Sequence, residues 1–167
     1  AENSKKYFPE KYDHVLFSFH GLPVRQLDKV YGDEKPCSDH NCEKEVNETN
    51  KYCYKAVCYE TARLIAKEMN LPENKYSVAF QSRLGRDPWV EPFSDKVIES
   101  MPSKGIKKLL VFSPAFIADC LETTVEIGME YTELFKKNGG EQLQLVESLN
   151  DKPLFIELLR DLVLKNQ

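Results

Sequence analysis

The short run Leu109-Leu110-Val111-Phe112 is apolar at four successive positions. A strand with one face in water alternates apolar and polar residues, whereas a strand covered on both faces can be apolar throughout. This run therefore predicts a strand in a sheet that carries helices on both sides. Three further runs, rich in branched or aromatic side chains, predict strands of the same sheet: residues 15–19, 76–80 and 142–146.

Segments with a helical spacing of apolar residues separate these strands. They cover residues 54–69, 92–100 and 119–138, where Gly139-Gly140 ends the last of them, and a final helix starts at Asn150 as its N-cap. Alternating strands and helices predict an α/β fold, a three-layer Rossmann-like domain with a four-stranded parallel sheet flanked by helices. In such sheets ligands bind beyond the carboxyl ends of the strands.

The composition describes one globular domain. The chain has 167 residues, of which 41% are hydrophobic and 30% charged, and a net charge of −4. That charge argues against a general nucleic-acid binder. We find no run of about 18 apolar residues that would predict a membrane-spanning helix. The first residues lack the apolar core of a secretory signal. We expect a cytoplasmic protein, with a peripheral contact to the inner membrane left open.

The first predicted strand leads into Ser18-Phe19-His20-Gly21-Leu22-Pro23. His20 is therefore expected at the carboxyl edge of the sheet, where Gly21 lets the backbone turn. It is either an ordinary hydrogen-bonded histidine, or a metal ligand or proton acceptor, since neutral imidazole serves both roles near pH 7.

Three glutamates, Glu122, Glu126 and Glu130, recur at intervals of four after the third strand. On an α-helix this spacing places them on one face, which is either a solvated surface or a path for protons or a divalent cation. Glu122 comes first and is expected near His20 at the same sheet edge. One imidazole facing one carboxylate suits a metal in transit.

The only tryptophan, Trp89, follows the second strand between two prolines. A lone tryptophan usually belongs to the core or covers it. The other interpretation is the wall of a site for a flat apolar ligand.

Four of the five cysteines lie within 22 residues, with the spacing C-x4-C-x10-C-x4-C: Cys37, Cys42, Cys53 and Cys58. An odd total and the expected cytoplasmic setting argue against a disulfide framework, although disulfides or unligated thiols stay open. Four cysteines suit a structural zinc, with His40 as an alternative ligand, or a [2Fe–2S] cluster.

The ordered set of these motifs resembles ferrochelatase, the enzyme that inserts ferrous iron into a porphyrin. The resemblance covers residues 14–164 apart from the long cysteine-bearing loop. It rests on Leu16 to Pro23, then Gln81-Ser82-Arg83-Leu84-Gly85, Trp89 and Pro92, then Leu121-Glu122-Thr123, Glu126 and Glu130-Tyr131, and finally Leu149-Asn150-Asp151, Pro153 and Asp161-Leu162-Val163. It implies a chelatase-type fold, with His20 and Glu122 as catalytic residues that also handle the substrate Fe2+.

The resemblance further implies that residues 1–167 form the C-terminal half of the enzyme, whose partner is a missing N-terminal domain. The porphyrin would lie between the halves against Leu22, Pro23 and Trp89, while Glu126 and Glu130 link Glu122 to solvent. Two positions depart from the family pattern: Cys120 stands where a histidine is usual, and Glu91 where many members have glycine.

Some ferrochelatases bind [2Fe–2S] clusters, so the resemblance implies one here, carried by an insertion at about residues 31–58. Two other functions stay open. One is a short homodimeric chelatase acting on sirohydrochlorin or a cobalt corrinoid precursor, and the other is a non-catalytic iron–sulfur binding module. The sequence does not indicate an oligomeric state.

Overall fold

A single four-stranded sheet organises the chain. The computed structural model describes residues 6–166 apart from residues 8 and 32–35. All pairings in the sheet are parallel, in the order β2-β1-β3-β4. The strands are β1 His14–His20, β2 Tyr76–Gln81, β3 Lys108–Phe112 and β4 Gln142–Leu145. All four predicted strands are confirmed, to within one or two residues at their ends.

Successive residues of the strands enter two separate cores. Phe17 and Phe19 of β1 pack with Ala62 of α2 (Tyr54–Glu68), on the face that also carries the short helix α1 (Val24–Asp28) and the four clustered cysteines. Leu16 points the other way, into a core with Ile98 of α3 (Ser94–Ser100). This alternation produces the three layers that the sequence predicts.

The segment predicted as a regular helix over residues 119–138 is irregular. It is π-helical over Glu122–Tyr131 and continues as α4, Thr132–Lys137. The backbone turns away after Gly139, whose φ is 94°. A side chain at Gly140 would place its Cβ 2.3 Å from the buried ring of Phe135, so glycine is required there.

One boundary prediction is wrong. The last helix, α5, is Pro153–Lys165 and is preceded by Lys152 rather than capped by Asn150. Asn150 has a φ of 49° and its side chain bonds Asp119 instead, because asparagine tolerates the left-handed conformation of a turn. The stretch after Gly21, in which the sequence shows no helical or strand pattern, contains α1 and a 3-10 turn at Cys37–His40. Within the described residues, no helix has the length and apolarity needed to cross a bilayer.

Candidate active site and cysteine cluster

His20 ends β1 at the carboxyl edge of the sheet and is half-buried. Its Nδ1 lies 2.6 Å from the carbonyl oxygen of Gly21. Because a carbonyl oxygen only accepts hydrogen bonds, Nδ1 carries the proton and Nε2 holds the lone pair. The turn thus fixes the tautomer that offers Nε2 as a metal ligand or proton acceptor.

The loops that follow β1 and β2 are joined beside His20. Gly21 donates its backbone N–H to the carbonyl oxygen of Gln81 at 2.8 Å, and Pro23 forms a backbone bridge with Trp89. A Cβ on Gly21 would lie 3.0 Å from that oxygen and 3.3 Å from the Trp89 ring. The close approach therefore favours glycine, and it brings together Leu22, Pro23 and Trp89, which lie in the loops after two different strands.

Glu122 is the first residue of the π-helical segment. A hydrogen bond from its own backbone N–H, then one from the Cys120 thiol, lowers the pKa of its carboxyl group, and the electrostatic interaction with His20 contributes in the same direction. The carboxylate is therefore ionised at neutral pH. The structure thus brings Glu122 into the electrostatic range of His20, and it puts Cys120 beside the same carboxylate.

Glu126 is held in place by the end of β2. It accepts hydrogen bonds from Ser82, through the backbone N–H at 3.1 Å and the hydroxyl at 2.6 Å, and from Tyr131 at 2.6 Å. The buried Gln81 amide donates to Glu126 at 3.3 Å and to the carbonyl oxygen of Glu122 at 2.8 Å. These bonds attach the start of the π-helical segment to the strand that lies next to His20.

Glu126 and Glu130 line a polar pocket of about 270 Å³ together with Arg83 and Asp95. Arg83 makes a two-pronged ion pair with Asp95, at 2.9 and 3.0 Å. Glu122 is not among the residues lining this pocket.

Three cysteine sulfur atoms form a compact triangle on the face of the sheet that carries α2, opposite the face that carries α3. The Sγ atoms of Cys37, Cys42 and Cys53 lie 3.4–3.7 Å apart, and all three residues are buried. Among the described cysteine, histidine, aspartate and glutamate residues, they are the one group of three or more whose ligand atoms all lie within 4.8 Å of one another. Tetrahedral bonds of about 2.3 Å to one ion separate sulfur ligands by about 3.8 Å, so this triangle fits a metal site.

The cysteine triangle, meaning Cys37, Cys42 and Cys53, also favours a thiolate. The Cys37 thiol donates to Cys53 and, together with hydrogen bonds from Tyr31, the Ala56 backbone and Cys42, lowers the pKa of Cys53 below the ordinary value of a cysteine, although burial opposes this shift. Thiolates are the form of cysteine that binds metals. The donor chemistry therefore agrees with the geometry.

Tyr31 completes the immediate surroundings of the triangle. Its hydroxyl lies 2.8 Å from the Cys42 sulfur, and its ring stacks on that of His40, with centroids 3.8 Å apart and planes 4° from parallel. His40 does not belong to the group of mutually close ligand atoms. His40 therefore lies beside the cysteine sulfur atoms, stacked on Tyr31, but it is not part of the group of three candidate ligands.

Cys58, the fourth predicted cysteine ligand, lies outside the triangle. It occupies the second turn of α2, where burial raises its pKa to about 12. Its neighbour Tyr54 bonds it and donates its hydroxyl to the backbone carbonyl of His20 at 2.8 Å. The cysteine-bearing helix is therefore attached directly to the end of β1.

Sequence reasoning missed Tyr31, Tyr54 and the hydrogen-bonding role of Gln81. Tyr31 and Tyr54 stand in segments whose only chemical signal was the cysteines. Gln81 was part of a quoted motif, but nothing in the sequence indicated that its amide reaches a helix 41 residues later. The available signal was a polar side chain at the end of a strand that is otherwise buried.

Comparison with known proteins supplies a family. The model of the ferrochelatase family matches residues 1–167. Ferrochelatase from Pseudomonas fluorescens (strain SBW25) is 48% identical over 162 residues, which is 96% of this chain and 48% of the relative. Ferrochelatase from Coxiella burnetii (strain Dugway 5J108-111) is 44% identical over 165 residues, covering 99% of this chain and 46% of the relative. The chain spans about half the length of these curated relatives.

A solved structure shows a similar fold. A protein from Marinobacter aquaeolei VT8, described as a cobalamin (vitamin B12) biosynthesis CbiX protein, superimposes with a TM-score of 0.50 over 92% of this chain and 95% of that one. At 16% identity this likeness concerns the fold alone. The match of the family model along the whole chain, and the identity of the relatives, are the stronger finding: the chain belongs to the ferrochelatase family.

Proposed function

We propose that this chain is one half of a ferrochelatase that inserts Fe2+ into a porphyrin, either protoporphyrin IX or coproporphyrin III, to form haem. The observation that carries the proposal is the placement of His20 and Glu122 at one sheet edge, beside the joined loops that hold Leu22, Pro23 and Trp89. Membership of the family makes metal insertion the chemistry to expect at such an edge.

In this proposal the residues of the edge divide the work of metal insertion. The reaction must remove two pyrrole protons and bring Fe2+ to one face of the ring. His20 presents Nε2, which either accepts a proton or holds the iron, and the ionised Glu122 takes the complementary part. Glu126, fixed by Ser82 and Tyr131, and the exposed Glu130 then connect Glu122 with solvent.

The flat substrate lies against the loops next to His20. Trp89 is half-buried and its indole N–H is bound to the Leu84 carbonyl oxygen at 2.8 Å, so its ring is held as a fixed wall. Leu22 and Pro23 form the other side of the same joined pair of loops. In this proposal the half that the relatives contain in addition closes the cleft from the other side.

Removing either reactive group from the full-length enzyme tests this assignment. His20→Ala and Glu122→Gln should each lower kcat by at least about 100-fold, the usual contribution of general acid–base catalysis. The control is Glu133→Gln, an exposed carboxylate on α4 outside the site. The rate of porphyrin metallation is measured from the loss of porphyrin fluorescence. Near-normal rates in the His20 and Glu122 variants would overturn the proposal.

We further propose that the cysteine segment holds a [2Fe–2S] cluster, with Cys37, Cys42 and Cys53 as ligands and Cys58 as the fourth. The compact triangle, its burial and the lowered pKa of Cys53 support a metal site, and the four-cysteine spacing supports a cluster in it. A cluster bound here would supply a covalent crosslink between the loop and α2, which in turn bonds the end of β1 through Tyr54.

A single zinc ion is the second candidate for this site. It is favoured by the nearly equal edges of the triangle, because one tetrahedral ion brings all its ligands equally close. Iron, sulfide and zinc analysis of anaerobically purified protein separates the two. Two irons and two sulfides per chain, lost in Cys53→Ser but kept in Cys120→Ser, would support the cluster. One zinc per chain without visible absorption would contradict the cluster and support the zinc site instead.

A further inference from the structure

Three buried polar side chains form a hydrogen-bonded network that ends at the candidate active site. The hydroxyl groups of Ser94, at the start of α3, and Ser18, in β1, lie 2.7 Å apart, and the Ser18 hydroxyl donates to the side-chain oxygen of Gln81 at 2.7 Å. Both serines are fully buried and Gln81 is 2% exposed. Since a buried polar group is costly unless it is hydrogen-bonded, each member of this buried network constrains the orientation of the next.

The Gln81 amide determines the direction of every bond in the buried network. Its nitrogen donates to the backbone carbonyl oxygen of Glu122 at 2.8 Å and to the Glu126 carboxylate at 3.3 Å. Because a carbonyl oxygen only accepts hydrogen bonds, the amide nitrogen must face Glu122 and the amide oxygen must face Ser18. The one hydroxyl hydrogen of Ser18 is then used on Gln81, so Ser18 accepts from Ser94. The amide therefore has a single orientation.

Gln81 is also the neighbour of His20 in the sheet. The two residues are register partners at the carboxyl ends of β1 and β2. The backbone carbonyl oxygen of Gln81 accepts the N–H of Gly21, in the turn that fixes the His20 tautomer, at 2.8 Å. Gln81 thus bonds the turn after His20 through its main chain and the backbone of Glu122 through its side chain.

We propose that Gln81 is a positioning residue for metal insertion: its amide, oriented by Ser18 and Ser94, sets where the Glu122 carboxylate lies relative to His20. The inference rests on the proposed function, in which His20 and Glu122 carry out the reaction. Gln81 contacts neither porphyrin nor iron in this role. It acts on the backbone of Glu122, the first residue of the π-helical segment, where a misplacement of about 1 Å can slow a reaction by about 100-fold.

Gln81→Met in the full-length protein tests this role, because methionine fills irregular space well but cannot donate a hydrogen bond to the Glu122 backbone. We expect kcat for porphyrin metallation to fall by at least about 10-fold. The KM for porphyrin should change by less than about twofold, because the loops that contact the ring in the proposed function keep their own bonds. Hydrogen–deuterium exchange of residues 122–127 should become faster, since a bond that holds this backbone is lost.

Ser18→Ala is a milder variant and decides the question if Gln81→Met does not fold. It removes the hydroxyl that orients the amide but leaves the amide in place. We expect kcat to fall by at least about threefold, the equivalent of one neutral hydrogen bond, with KM again nearly constant.

Ser77→Ala is the matched control. The Ser77 hydroxyl lies 3.0 Å from His14 Nε2, so it joins the same two strands as the Ser18–Gln81 bond, but at their amino ends. This variant should leave kcat within about twofold of the wild type whatever its effect on Tm. If Ser18→Ala lowered Tm but kept the kcat of Ser77→Ala, the buried network would be purely structural and the proposal would be wrong.

The failure of this inference differs from the failure of the proposed function. If the unmodified full-length protein metallates no porphyrin, the proposed function is wrong and the positioning role is lost with it. If the unmodified protein metallates porphyrin and both the Gln81 and the Ser18 variants do so at the same kcat, only the positioning role is wrong.

Discussion

At the scale of single residues, the hydroxyl group of Tyr31 lies beside the cysteine triangle. It lies 2.8 Å from the Cys42 sulfur, and its pKa is raised mainly by burial and further by the Cys42 hydrogen bond. The phenol therefore stays protonated at neutral pH and can donate to sulfur. Hydrogen bonds to cysteine ligands are one of the means by which proteins set the reduction potential of an iron–sulfur cluster.

Tyr31→Phe should keep the ring and its stacking on His40 while removing only that donor. If the site holds a [2Fe–2S] cluster, we expect a more negative reduction potential with unchanged iron and sulfide content, because sulfur loses a group that stabilises the added electron. Redox titration followed by visible absorption measures this. Tyr52→Phe is the matched control, since Tyr52 is adjacent in sequence to Cys53 but 79% exposed. An unchanged potential in Tyr31→Phe would contradict the role.

Part of the candidate site could be predicted from single residues of the sequence. His20 and Glu122 follow strands, so the rule that ligands bind at the carboxyl edge selects them from sequence alone. Tyr31 and Gln81 act through hydrogen bonds with residues distant in sequence, and no spacing encodes such contacts. The four-cysteine pattern likewise predicted a metal site, but not that Cys58 lies apart from the other three.

At the scale of elements, hydrophobic spacing identified every strand and the main helices, because burial on two faces leaves a readable pattern. The pattern could not show that residues 122–131 form a π-helix, since this depends on how the backbone is held at the end of β2. It could not fix the start of α5 either. Asn150 is a good N-cap by type, yet its side chain is engaged with Asp119.

Asp13 illustrates a contact that joins two elements without any sequence signal. Its carboxylate accepts hydrogen bonds at 2.8 Å from the backbone N–H groups of Lys107 and Lys108, which lead into β3. The Lys107 N–H is the main cause that lowers the pKa of Asp13 below its ordinary value, while the small burial of the carboxyl opposes it. The ionised side chain thereby fixes the start of β1 to the start of β3.

Asp13→Ala should reduce the free energy of unfolding at neutral pH by about 1 kcal/mol, because the two hydrogen bonds are to a charged but exposed group. Since the folded pKa is depressed, this contribution is present above the ordinary aspartate pKa of about 3.9 and is lost as pH falls through the lower folded value. Urea unfolding from neutral pH down to about pH 3 checks it.

The stability difference between the wild type and Asp13→Ala should therefore shrink in acid. Asp87→Ala provides the comparison, since Asp87 forms an exposed ion pair with Arg25 and its removal should change stability little. A difference for Asp13→Ala that stays constant down to acidic pH would show that the carboxylate charge does not matter.

At the scale of the whole molecule, the candidate site lies at an open edge. In the proposed function, His20, Glu122 and Trp89 form one wall of a cleft, and a groove lined by Phe116 and residues of α5 lies beside His20. The relatives are about twice as long as this chain. The proposed function therefore implies a half-site, in which the reactive groups are present but water reaches them until the other half covers them.

We expect the 167-residue chain alone to give less than about one hundredth of the kcat/KM of the full-length enzyme with the same porphyrin and Fe2+, because a site with one wall neither orients the ring nor excludes water. Porphyrin fluorescence measures turnover, and light scattering after size exclusion measures the mass of the active species. Comparable turnover by a dimer of the chain would mean that a second copy supplies the other wall, as a short homodimeric chelatase would. Comparable turnover by a monomer would mean that the edge is a complete site. A slow monomer would support the view that His20 and Glu122 need the second half to work.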